Sequence, residues 1–129
     1  MQVRRRGRDF LIATLLMALV LASVSAVAAA NPPEFIASEP PSETTIATPP
    51  TQIILTFSKP TDPSMTGGYV HNVDGVIVST AIAVSPDDAT KVIVTLTPNL
   101  ASGWYMVMWN TALVGSDNYL TGDVTFAIA

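Results

Sequence analysis

The stretch Ile53-Ile54-Leu55-Thr56-Phe57 puts Ile53, Leu55 and Phe57 on one side of an extended chain and Ile54 and Thr56 on the other. A period of two marks a strand with one buried face. Outward from it, the same alternation returns in Val92, Val94 and Leu96, and again in Val124, Phe126 and Ile128. No segment sustains a 3.6-residue period, an internal repeat or a heptad pattern. Pro60, Pro63, Pro86, Pro98, Gly103 and Gly115 punctuate the chain between these runs. Upstream, Pro32, Pro33, Pro40, Pro41, Pro49 and Pro50 remove backbone donors and forbid a helix, so 31–51 can supply an extended edge at most. In Val73-Asp74-Gly75-Val76, Asp-Gly lies between two β-prone runs and tolerates positive φ, which predicts a hairpin of 68–73 with 76–80.

Six or seven short strands imply an all-β fold, two packed antiparallel sheets forming an immunoglobulin-like Greek-key β-sandwich of about seven strands. The chain has 129 residues, room for one domain and too few for two cores. Residues 1–30 carry a basic head (Arg4, Arg5, Arg6, Arg8), an apolar run from Phe10 to Leu21 and a small-residue tail offering Ala28-x-Ala30 to a peptidase. This predicts a cleaved export signal over 1–30, by a Sec or twin-arginine route, and a mature domain over 31–129 in the periplasm or outside the cell. The competing assignment is an uncleaved anchor.

The net charge of −4 conceals an asymmetry. Four arginines against Asp9 make the leader +3, whereas Lys59 and Lys91 against nine carboxylates leave the remainder at −7. Such a domain cannot neutralise a row of phosphates, so nucleic acid is excluded as a partner and a cation is the more natural ligand. Cysteine is absent, which removes thiolate catalysis, Cys-based metal sites and disulfides.

Three segments occur in a telling order: Ser38-Glu39-Pro40, then Ile54-Leu55-Thr56-Phe57-Ser58-Lys59-Pro60, then Leu96-Thr97-Pro98-Asn99-Leu100 followed by Gly103-x-Tyr105-x-Val107-x-Trp109. With Ser116-Asp117 and Gly122-x-x-x-Phe126, they resemble the CopC-type copper-resistance proteins across nearly all of the mature chain. The resemblance implies a small exported β-sandwich that binds Cu(II). In that family the ligands are the new N-terminal amine and a His at the first mature position, with an Asp and a His in a late Ser-x-Asp-x-His segment. Here Asn31 would be the first mature residue, Asp117 takes the Asp position, and Asn118-Tyr119 stands where the late His is expected. Both family imidazoles are therefore replaced.

The sole imidazole is His71, which by alternation shares an outward face with Tyr69 while Val70 points inward. Asn31, His71 and Asp117 are the candidate copper ligands, with Cu(II) favoured over Cu(I) because the donors are nitrogen and oxygen. The methionines offer an alternative chemistry. If Tyr105, Val107 and Trp109 face the core, Trp104, Met106 and Met108 face outward, with the two thioethers about 7 Å apart. Such a stripe suits a soft ion, a covering loop, or a protein partner such as a membrane copper transporter. With one His, no Cys and no phosphate loop, there is no nucleophile–base pair, and no enzyme is expected. The expectation is thus a monomeric, exported, non-catalytic copper-binding carrier of copper homeostasis and resistance. Its alternative is a metal-free immunoglobulin-like adhesion or scaffold module that presents the Trp104 face to a protein.

Overall fold

The computed structural model describes residues 33–129. The predicted export signal and Asn31 lie outside the described residues. Eight strands follow in order: β1 (Phe35–Glu39), β2 (Thr44–Ile46), β3 (Gln52–Phe57), β4 (Gly67–Asn72), β5 (Ser79–Val84), β6 (Lys91–Leu96), β7 (Gly103–Ala112) and β8 (Tyr119–Ile128). They form two four-stranded sheets, ordered β1-β3-β6-β5 and β2-β8-β7-β4. The prolines on either side of β1 and β2 keep both strands short, and each takes an edge where a missing N–H costs no ladder bond. The β2–β8 pair is parallel, a departure from the purely antiparallel sheets expected.

The alternating runs of the sequence are the facing surfaces. Ile53, Leu55 and Phe57 of β3 with Val92, Val94 and Leu96 of β6 meet Tyr105, Val107 and Trp109 of β7 and Val124, Phe126 and Ile128 of β8 in one buried cluster. Full burial of each large apolar side chain is worth about 1.5–3 kcal/mol. Trp109 centres one end of this core, stacked on Phe35 at 5.6 Å and edge-on to Phe57 at 5.0 Å. At the other end Tyr105 stacks on Phe126 at 5.5 Å, and its hydroxyl donates back to the Ala101 carbonyl at 2.6 Å. That return bond, four residues upstream, is the tyrosine-corner arrangement of immunoglobulin-like sandwiches.

The predicted turn at Asp74-Gly75 forms, but the predicted hairpin does not continue as one sheet. Asn72 N–H donates to Val76 O and Gly75 N–H to Asn72 O, with Gly75 at φ 78°, a three-residue loop in place of a two-residue one. After the single bridge His71↔Ile77, the chain leaves β4 and crosses to the other sheet, where β5 pairs with β6. The cause lies in the apolar residues of the return strand. Val78 is buried, and beyond an irregularity between Ser79 and Ala81 the side chains of Ile82 and Val84 pack on the core from the β6 edge. Consecutive β4, β5 and β6, with β3 returning beside β6, make the Greek key.

Two outcomes test this packing. A Cβ at Gly122 would overlap the Trp109 ring, which Phe35 and Phe57 hold in place, so Gly122→Ala should lower stability by about 1–3 kcal/mol in denaturant unfolding. Between β5 and β6, Thr90 donates to the Asp88 carboxylate from its hydroxyl (2.6 Å) and its backbone N–H (3.0 Å), which holds Asp88 below its ordinary value of 3.8. A depressed carboxylate stabilises the fold above its unfolded value and loses that contribution as pH falls through the folded one. The stability gap between the native chain and Asp88→Ala should therefore be constant at neutral pH and narrow below 3.8.

Candidate metal centre

The outer face of the β2-β8-β7-β4 sheet is built by the residues that β7 and its neighbours turn away from the core. Register places them in rows: Tyr69, Met108 and Asp123 in one, His71, Met106 and Thr125 in the next. Trp104 follows at the start of β7 and is 51% exposed, whereas Met106 and Met108 are half-buried by their cross-strand neighbours. The alternation expected from the sequence thus holds on both strands, with Val70 fully buried and Tyr69 exposed. His71, expected to be exposed, is half-buried, because Met106 flanks it on one side and the Tyr69 ring lies 6.0 Å from its own.

His71 is oriented by the turn that follows it. Its Nδ1 lies 2.9 Å from the Asn72 carbonyl oxygen, an acceptor only, so Nδ1 carries the proton and Nε2 keeps its lone pair. That carbonyl is fixed in turn, since it also accepts the Gly75 N–H at 3.0 Å. The Asn72 side chain accepts from the N–H groups of Asp74 (3.0 Å) and Val76 (2.9 Å) and locks the loop. Beside the imidazole is a shallow cavity of about 140 Å³ lined by Val73, Trp104, Met106 and Thr125.

Asp117 belongs to a different part of the molecule. It lies exposed in the loop between β7 and β8, beyond Ala112, whereas His71 faces Met106 near the start of β7. Six residues of strand separate these levels, roughly 20 Å. The structure therefore does not bring His71 and Asp117 together. Among the described residues no group of three or more His, Cys, Asp or Glu side chains gathers around one point. The Asp117 carboxylate accepts no hydrogen bond from the described residues, and Ser116 Oγ instead caps the loop at Asn118 N–H.

The described chain begins at the Asp117 end. Glu34 and Ser58 exchange hydrogen bonds of 2.9 Å, Phe35 stacks on Trp109, Thr61 bridges Leu113, and Asp62 N–H donates to Ala112 O. Met65 lies here too. Its sulfur accepts the Tyr119 hydroxyl at 3.4 Å, so this thioether does not join Met106 and Met108. What sequence reasoning missed is the neighbour of Met106: no imidazole adjoins the two methionines along the chain, yet β4 delivers one across the ladder.

The CopC domain family model matches residues 35–129. No curated protein matches the chain. Among solved structures, CopC from Methylosinus trichosporium OB3b is similar at a TM-score of 0.65 and 20% identity, covering 74% of this chain and 92% of that one. PcoC, a methionine-rich copper resistance protein from Escherichia coli, gives a TM-score of 0.66 at 22% identity, covering 75% and 98%. Its selenomethionine form gives 0.63 at 23%, covering 74% and 99%. At such identities these likenesses establish the fold.

Removal of the Asn72 side chain leaves the Asp74 and Val76 N–H groups without their acceptor. Asn72→Ala should therefore cost about 1–2 kcal/mol and broaden the His71 ring signals in NMR spectra, while the Trp109 core signals stay sharp.

Proposed function

Since the chain belongs to the CopC domain family, we propose that it is an exported, non-catalytic copper-binding protein that carries the ion in copper homeostasis and resistance, in the periplasm or outside the cell. The observation that carries this proposal is the shared end of the sandwich. The loop that holds Asp117 and the start of the described chain lie at one end, and the carboxylate there is free to accept a ligand. Cleavage after Ala30 would put a new amine on Asn31, two residues before Pro33 in the sequence.

Cu(II) favours nitrogen and oxygen donors in a tetragonal plane. The Asn31 amine supplies nitrogen, and Asp117 supplies anionic oxygen. Pro32 has no N–H, so the first peptide bond cannot be deprotonated to give a second nitrogen, and Asn31 adds only its carbonyl and amide oxygens. Without the two family imidazoles, this set holds Cu(II) weakly and releases it readily, which suits delivery rather than storage. The face of Trp104, Met106 and Met108 is the proposed contact for the receiving membrane transporter or protein.

Mass spectrometry of the exported protein should show Asn31 as the first residue. Titration of that protein with Cu(II) at neutral pH should give a stoichiometric electron paramagnetic resonance signal with nitrogen coupling. Asp117→Ala should weaken binding by about tenfold or more. Substoichiometric binding that is indifferent to Asp117 would overturn the carrier role and leave a metal-free adhesion or scaffold module.

A further inference from the structure

We infer that the free edge of β5 pairs with β5 of a second copy of this chain, antiparallel about a two-fold axis at Ala83, to give a reversible dimer. The inference goes beyond the copper-binding role, uses none of its ligands, and departs from the monomer expected from the sequence. Each sheet has two edge strands, and three of the four are blunted against pairing. β1 lies between Pro33 and Pro40, and β2 is three residues long with prolines on both sides. At β4 the outward backbone groups are taken by the strand's own return chain: Val70 O accepts the Val78 N–H, Val70 N–H donates to Ser79 Oγ, and Asn72 N–H donates to Val76 O. β5 has β6 on one side and, among the described residues, no strand on the other.

Register decides which groups β5 leaves open. Ser85 N–H donates to Lys91 O, and the ladder alternates, so Ala83 turns its backbone groups to β6 whereas Ile82 and Val84 turn theirs away. Antiparallel pairing about Ala83 sets Ile82 of each copy opposite Val84 of the other, and each such pair exchanges both of its N–H···O bonds. The side chains fit the same register. Ala81-Ile82-Ala83-Val84-Ser85 reads nearly alike in both directions, small residues alternating with β-branched ones, so an identical strand run in reverse is the partner it matches. On the inner face Ile82 and Val84, half-buried where the core ends, cover one another across the axis. On the outer face the exposed Ala83 meets its own copy with nothing bulky to collide. The stretch carries no charge in a domain rich in carboxylates, and the antiparallel sense sends the two Asp87-Asp88 turns to opposite ends of the contact. An irregularity between Ser79 and Ala81 at one end and Pro86 at the other keep the paired segment short. The contact is therefore small, and the dimer is reversible rather than obligate.

The test uses protein recovered from expression of the full 129-residue chain, followed by sedimentation equilibrium from about 10 µM to about 1 mM. The mass should rise from one chain towards two. Hydrogen exchange read by NMR should slow at the Ile82 and Val84 amides as concentration rises, while the Ala83 amide, already bonded to β6, stays unchanged. Ala83→Lys sets like charges face to face at the axis, and Ala83→Glu does the same with the opposite sign. Each should weaken association by about tenfold or more, and an equimolar mixture of the two variants should restore it. Ala83 is exposed, so both variants keep the native fold, which circular dichroism verifies. A mass that stays at one chain up to about 1 mM would overturn the inference. So would a dimer indifferent to both substitutions, or Ile82 and Val84 amides that exchange at one rate throughout, outcomes that leave the β5 edge to another partner or to water.

Discussion

Trp109 between Phe35 and Phe57, with its ring over Gly122, ties β7 to the opposite sheet and makes the two faces of that strand unequal. Once Tyr105, Val107 and Trp109 are committed to the core, strand geometry leaves Trp104, Met106 and Met108 no choice but the outer face. A slip of one residue would exchange the two sets, exposing the core aromatics and burying the sulfurs. The side-chain period that stabilises the fold therefore also decides which donor atoms meet solvent.

The faces of the strands were legible in the residues themselves. Ile53, Leu55 and Phe57 could only be one side of a strand, and the proline-rich 31–51 segment could only serve at an edge, because both follow from local stereochemistry. Pairing partners were not legible, since a strand's neighbour is set by the global arrangement of sheets. The Asp74-Gly75 signal correctly marked a turn, yet a turn says nothing about where the return strand goes after its first bonds. The burial of Val78, Ile82 and Val84 drew that strand to β6. For the same reason the pairing of His71 with Met106 was invisible: the two lie far apart along the chain and meet only through the β4–β7 ladder. The parallel contact of β2 with β8 escaped in the same way.

Asp117 and His71 illustrate how a β-sandwich partitions chemistry by height along its strands. Loops at one end gather the first described residues, Met65, Tyr119 and the acidic residue, while the middle and opposite end of β7 present sulfur and imidazole. The Asp117 carboxylate and the His71 imidazole thus occupy different neighbourhoods of one small domain, and neither can reach the other without unravelling the strand between them. Of the ligand positions that the sequence resemblance implies, Asp117 stands where the aspartate is expected, whereas Asn118-Tyr119 stands where the late histidine is expected.

The chain's two indoles sit on opposite faces of the same strand, five residues apart, one enclosed by aromatic rings and the other half open to water. Their light emission is accordingly separable. The enclosed ring should fluoresce at shorter wavelength and resist quenching by dissolved acrylamide, whereas the open one, which lies beside His71 and Met106, should emit further to the red. A paramagnetic or heavy ion settling on that face would darken the red component alone. Nature has thereby placed an internal reference and a proximity reporter on a single β-strand, with no label required.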